Sequence, residues 1–152
     1  MVKRVVLGLG VIILGIYLFS GFMGLSGYSN SVEETGVYAT GQGLNGVFDN
    51  CFCHGFAYEI FKITPEIFYS YDSNGEVIGE FFETKTEDFN LSSFAQKLGL
   101  VGISSGFVNS TFNIYCKTNL LPYRVPGKEF NVQICVAGEK TIVASPIIMG
   151  SF

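Results

Sequence analysis

The sequence predicts a mainly β protein: an antiparallel β-sandwich, Ig-like or jelly-roll-like, with one short helix and an N-terminal apolar helix in front of it. Three observations lead there. Several segments alternate apolar and polar residues, leaving one apolar face, as half-buried antiparallel strands do. Turn chemistry rich in Gly, Asn and Ser separates them. An uncharged run from Val5 to Val32 follows Lys3 and Arg4 at the start of the chain.

Composition narrows the function classes. Of 152 residues, 48% are apolar, 15% aromatic and 14% charged, with a mean hydropathy of +0.38. So many aromatics and so few charges exclude a disordered chain. A net charge of −4 without a basic cluster argues against binding nucleic acid, whose phosphates need neutralising.

Residues 1–26 predict a transmembrane signal-anchor or a signal peptide. Twelve of the twenty residues from Val5 to Gly24 are Val, Leu, Ile or Phe. Twenty helical residues span about 30 Å, the hydrocarbon thickness of a bilayer. At roughly 0.3–0.6 kcal/mol each, those side chains favour insertion by about 4–7 kcal/mol. Lys3 and Arg4 place the N-terminus on the cytoplasmic side and the rest of the chain outside. Gly24-Leu25-Ser26 is a small-x-small cleavage pattern. The apolar run is long for a signal peptide, which favours the anchor. Gly8 and Gly15, a heptad apart, and the Ser20/Gly24 pair offer small surfaces for helix packing.

Residues 27–46 read as linker or loop with one strand at 36–40, and residues 47–152 as the exterior sandwich. Within it, strands are predicted at 57–63, 66–72, 76–84, 111–118, 130–137 and 140–148. Ser73-Asn74-Gly75 joins the second and third as a hairpin, because Asn-Gly supplies positive φ angles. Ser93 and Gln96 form a capping-box pattern, Phe94 and Leu98 share a face, and Gly99 closes the one short helix. The apolar C-terminus predicts a last core strand, with exchange between subunits as the alternative.

Four cysteines, Cys51, Cys53, Cys116 and Cys135, follow a membrane-directing segment and predict two disulfides. Cys116 lies on the apolar face of its strand and Cys135 on the polar face of its own. A bridge between those two is therefore disfavoured, which leaves one bond from each of Cys51 and Cys53 to the later pair. Asn90-Leu91-Ser92 and Asn109-Ser110-Thr111 are glycosylation sequons, placing candidate glycans on Asn90 and Asn109.

Reactive constellations are sparse, and no catalytic or cofactor-binding residue is assigned. Cys51, Cys53 and His54 are candidate metal ligands, with Cys116 or Cys135 as a fourth; the C-x-C spacing is atypical for zinc. Gly102-Ile103-Ser104-Ser105-Gly106 matches G-x-S-x-G. A hydrolase elbow needs a helix next and a later histidine, whereas a strand follows and His54, the one histidine, comes earlier. The motif therefore reads as a Gly/Ser loop. Asp72, Glu76, Glu80, Glu83, Glu87 and Asp88 read as a solvated hairpin face, with Glu76 and Glu80 on one side of a strand.

The layout of a short basic start, an apolar helix and a β domain resembles that of archaeal pilin-type subunits; no prepilin cleavage motif follows Arg4, and the likeness is one of layout. The expectation is a non-enzymatic structural surface protein without cofactor: a membrane-anchored glycoprotein or filament subunit, exterior to the membrane, that self-associates through its apolar helix and β domain. The alternatives are a membrane-tethered accessory or binding subunit (adhesin- or receptor-like), and a small exterior metal or redox protein.

Overall fold

A computed structural model describes residues 24–40, 52–54, 58–71 and 75–149, with 52–54 and 71 described by backbone alone. The strands are β1 (Glu34–Thr40), β2 (Phe52–His54), β3 (Tyr58–Phe61), β4 (Glu76–Lys85), β5 (Val101–Val108), β6 (Thr111–Lys117), β7 (Val132–Ala137) and β8 (Lys140–Ser145). The helices are α1 (Pro65–Tyr71) and α2 (Leu91–Leu98), with 3₁₀ turns at Leu25–Tyr28 and Thr86–Asp88. Mainly β structure with few helices is what the alternating sequence predicts.

All eight strands join one hydrogen-bonded row in the order β2-β3-β1-β4-β8-β7-β6-β5, and each neighbouring pair is antiparallel. One face packs on helices and loops. There Phe82, Val143, Ile134 and Cys116 meet Leu25, the α2 residues Phe94 and Leu98, and Leu121. Further along the row, Val37, Ala39, Phe61 and Val77 meet Phe68 of α1. On the opposite face Tyr38, Ile60, Phe81 and Ala144 are covered by Ile148 and Met149.

Four local readings change. The strand predicted at 66–72 is helix α1: Thr64 caps it through its Oγ1, which accepts from the Ile67 N–H, and Pro65 follows at the position where a missing N–H costs nothing. The cap of α2 lies three residues before the predicted one, because Asn90 accepts the Ser93 N–H at 2.9 Å. Gly99 does close it, in the left-handed region at φ 60°. The G-x-S-x-G segment is strand β5 rather than a loop. The C-terminal run leaves the sheet at Ser145, and the Ile148 and Met149 N–H groups then bond to Gln133 Oε1 and Tyr38 Oη at 3.0 and 3.1 Å. It covers the sheet instead of extending it.

The domain also begins earlier than residue 47. Within the 27–46 stretch read as linker, β1 lies between β3 and β4, deep in the row. Leu25 is fully buried in the main core. The loop from Thr118 to Asn131 is held by buried Asn131: its Oδ1 accepts the Thr118 N–H at 2.8 Å, and its Nδ2 donates to the carbonyls of Thr118 and Tyr123.

Candidate functional site

β5 is the last strand of the row, and no described strand pairs with its outer side. It is exposed along nearly its whole length, with Phe107 at 76%, Val101 at 60%, Val108 at 55% and Ile103 at 41% of full accessibility. Between Leu98 and Cys116 no residue is charged. Edge strands are ordinarily guarded by charge, proline, shortness or a covering element, because their free N–H and C=O groups template further pairing. β5 carries none of the first three. Its anchor is the β5–β6 hairpin, closed by Asn109 at φ 56° and Ser110, with Phe107 and Phe112 in ring contact across it at 5.0 Å. A hollow of about 390 Å³ beside its first half is lined by Val101, Ile103, Lys117 and Glu129.

A bulge shapes this edge. Gly102 pairs with Cys116 and Ser104 with Tyr115, so Ile103 is an extra residue. Gly102, Ser105 and Phe107 then share the helix-bearing face with Cys116, Ile114 and Phe112, while Val101, Ser104, Gly106 and Val108 share the other.

The most perturbed carboxylate lies elsewhere. Glu80, in β4, is only 5% exposed. Its Oε1 accepts the Leu25 N–H at 3.1 Å and its Oε2 accepts the Tyr123 hydroxyl at 2.8 Å. Burial raises its pKa above the usual carboxylate range; the two hydrogen bonds oppose that rise, and the nearby Glu66 charge adds to it. Burial, followed by the Glu80 charge, also raises the Tyr123 hydroxyl. A second β4 bulge explains why the sequence reading missed this. Tyr38 pairs with Gly79 and Ala39 with Val77, so Ile78 is extra and Glu80 joins Val77 on the core face, away from Glu76. Glu76 is exposed as expected, whereas Glu83 is 8% exposed and bonded to Lys140 at 2.6 Å. The acidic run is therefore only partly a solvated face. This network is a structural clasp at the point where the N-terminal segment enters the domain.

The other sequence candidates are dispersed. Cys51 lies outside the described residues. Cys53 and His54 stand in β2, at the opposite end of the row from β5 and Ser104. Cys116 and Cys135 are buried and free. The sheet order separates them from Cys53: β7 and β6 are five and six strand positions from β2, whereas a disulfide needs Cα atoms within about 7 Å. The two also avoid each other. Cys116 pairs with Val132 and Cys135 with Asn113, on opposite faces, as their strand parity predicts. Burial raises the Cys116 thiol pKa, which keeps it protonated and unreactive. Among the described residues no group of three His, Cys, Asp or Glu side chains gathers as a metal site.

Asn90 and Asn109 are exposed, the first as the α2 cap and the second in the β5–β6 turn. Gly8, Gly15 and Ser20 lie outside the described residues. Gly24 is described, at the start of the Leu25–Tyr28 3₁₀ turn, where a Cβ would stand 2.6 Å from Glu80 Oε1. Among the described residues no helix is long and apolar enough to cross a membrane.

Comparison with protein-family models, curated proteins and solved structures finds no match to this chain.

Proposed function

We propose that this chain is a non-enzymatic structural surface protein, a membrane-anchored or filament subunit of pilin-like layout whose β domain matures outside the membrane. The observation that carries this reading is β5, a long uncharged edge left open to solvent. An open edge of this kind suits a protein whose work is assembly. Three further features support it. The apolar segment feeds directly into the core through Leu25, so the domain follows its anchor with little slack. Cleavage after Ser26 would remove that core residue, which favours an uncleaved anchor. Asn90 and Asn109 are accessible to glycosylation on an exterior face. The domain is sandwich-like in this reading, with apolar clusters on both faces of the sheet.

Fractionation of cells expressing the full chain, with protease added from outside, tests the proposal. The chain is expected in the membrane or a surface assembly, with its β domain open to the protease. Recovery as a freely dissolved cytosolic monomer overturns it. Gly15→Leu tests the helix-borne part: self-association in detergent should fall, and unchanged association removes helix packing from the assembly.

A further inference from the structure

We infer that the end of the β domain at which the N-terminal segment enters docks on anionic phospholipid headgroups through Lys97, Lys117, Arg124 and Lys128. The inference rests on the membrane-anchor reading and adds to it the surface that meets the bilayer. Strand register divides the domain into two ends. Glu76, Ser145, Val132, Lys117 and Val101 lie towards one, and Lys85, Lys140, Ala137, Thr111 and Val108 towards the other. The chain enters from the first. The Leu25 N–H bonds to Glu80, Ser31 and Thr84 share a hydroxyl hydrogen bond, and the Glu33 N–H bonds to the Glu83 carbonyl. Residues 25–33 therefore run along β4 towards Lys85. The apolar run Val5–Gly24 joins them without a spacer, since Leu25 is already fully buried.

Charge follows the same division. Lys3 and Arg4 aside, the chain has seven lysines and arginines. Three pair with acids on the Lys85 side: Lys62 with Glu34, Lys85 with Glu33 and Lys140 with Glu83. Glu87, Asp88 and Glu139 add further acids there. The other four cations are exposed and, among the described residues, form no ion pair. They gather around buried Thr118 at the entry end. Lys117 precedes it, its Oγ1 donates to the Leu98 carbonyl beside Lys97, and Arg124 Nη2 donates to its carbonyl at 3.4 Å. Arg124 follows Tyr123, whose hydroxyl bonds to Glu80, the acceptor of the Leu25 N–H, so the cluster is tied to the point of entry. Lys128 lies on the same loop; Glu129 stands among the four, beside Lys117 in the hollow, and lowers their net charge by one.

Anionic headgroups attract surface cations only within a Debye length, about 10 Å at 0.1 M salt. The missing spacer holds the entry end at that range. The ten residues of β4 put the acid-rich end about 30 Å further out. An acidic surface on a second copy would also attract these cations, but the apolar run brings a bilayer to this end and brings no second copy.

The chain has no tryptophan, so a single introduced one reports its own surroundings. Leu120→Trp in the entry-end loop and Phe107→Trp near the other end replace side chains that are 58% and 76% exposed. Each full-length variant is reconstituted into vesicles of phosphatidylcholine and phosphatidylglycerol carrying a nitroxide quencher on the headgroup. Leu120→Trp should be quenched several-fold more than Phe107→Trp. Adding Lys117→Glu and Lys128→Glu should bring its quenching down to the Phe107→Trp level, while adding Lys85→Glu should leave it unchanged. Equal quenching of the two reporters in a chain that floats with the vesicles overturns the docking and leaves the anchor standing. A chain that does not float overturns both. Quenching that survives the Lys117→Glu and Lys128→Glu changes removes the cations from the contact. If those changes instead abolish self-association in detergent, the cations belong to a contact between copies and the headgroup docking fails.

Discussion

Strands β4 and β5 invert the usual relation between charge and position. β4 carries Glu76, Glu80, Glu83 and Lys85 and runs through the middle of the row, with the stretch from Gly79 to Thr84 buried. β5 carries no charge and lies at the rim in water. The difference lies in what each strand is given as a partner. The buried carboxylates of β4 are met by Tyr123, the Leu25 N–H and Lys140, so their burial is partly offset. The outer backbone of β5 meets no described strand, and its apolar side chains stay largely exposed. A charged strand is thus finished within the molecule, and an uncharged one keeps an outer side that no described strand pairs with.

The sharpest way to break this comparison is to truncate one phenylalanine on each strand. Phe82 of β4 is fully buried among Phe89 and Phe94. Phe82→Ala should cost about 3–5 kcal/mol in denaturant unfolding. Phe107→Ala on β5 should cost under about 1 kcal/mol, the scale of one cross-strand pair. Equal losses would mean that β5 is covered within the monomer.

Gly24→Ala probes the clasp between β4 and the N-terminal segment. The added Cβ displaces Glu80 Oε1 from the Leu25 N–H and should cost about 1–3 kcal/mol, with amide exchange at Leu25 rising. An unchanged stability would show that the clasp gives way freely.

Glu80→Gln has the smallest expected effect and the clearest sign. The folded-state pKa of Glu80 lies above its ordinary value of 4.5, mainly through burial. The folded state therefore holds a proton that the unfolded chain releases as pH rises past 4.5. Glu80 then costs stability increasingly up to its raised pKa and at full size above it. Gln keeps an acceptor for Leu25 and turns a donor towards Tyr123 without burying a charge. Glu80→Gln should stabilise the fold by about 1 kcal/mol at pH 7 and flatten the stability profile above pH 4.5. A loss at pH 7 would mean that the ionised form contributes to the fold.

Much of this architecture was legible in residue order. Alternation located β6 and β7, aromatic and β-branched content or turn signals located β3, β4 and β8, and Phe94, Leu98 and Gly99 marked α2, because one-faced burial, turn chemistry and a left-handed cap leave local signatures. The Ser73-Asn74-Gly75 hairpin signal misled at 66–72, where Thr64 and Pro65 start a helix that buries Phe68. The candidate site was less legible. Residues 101–108 carry small side chains in a G-x-S-x-G pattern, and nothing local distinguishes a loop from an open edge. Asn131 looked like the second residue of a strand, yet it orders a loop through partners eight to thirteen positions away.

The sequence by itself determined the β class, the uncharged apolar start and the opposite faces of Cys116 and Cys135, since each depends on the order of neighbours along one chain. Tertiary structure alone decided the two bulges and the strand order. Ile78 turns Glu80 into the core, Ile103 switches the order of faces along β5, and the row parts Cys53 from the later cysteines. A bulge is a choice of register between two strands, and strand order is a choice among distant pairings. Both are set by the packing of the whole sheet, which no local stretch of residues encodes.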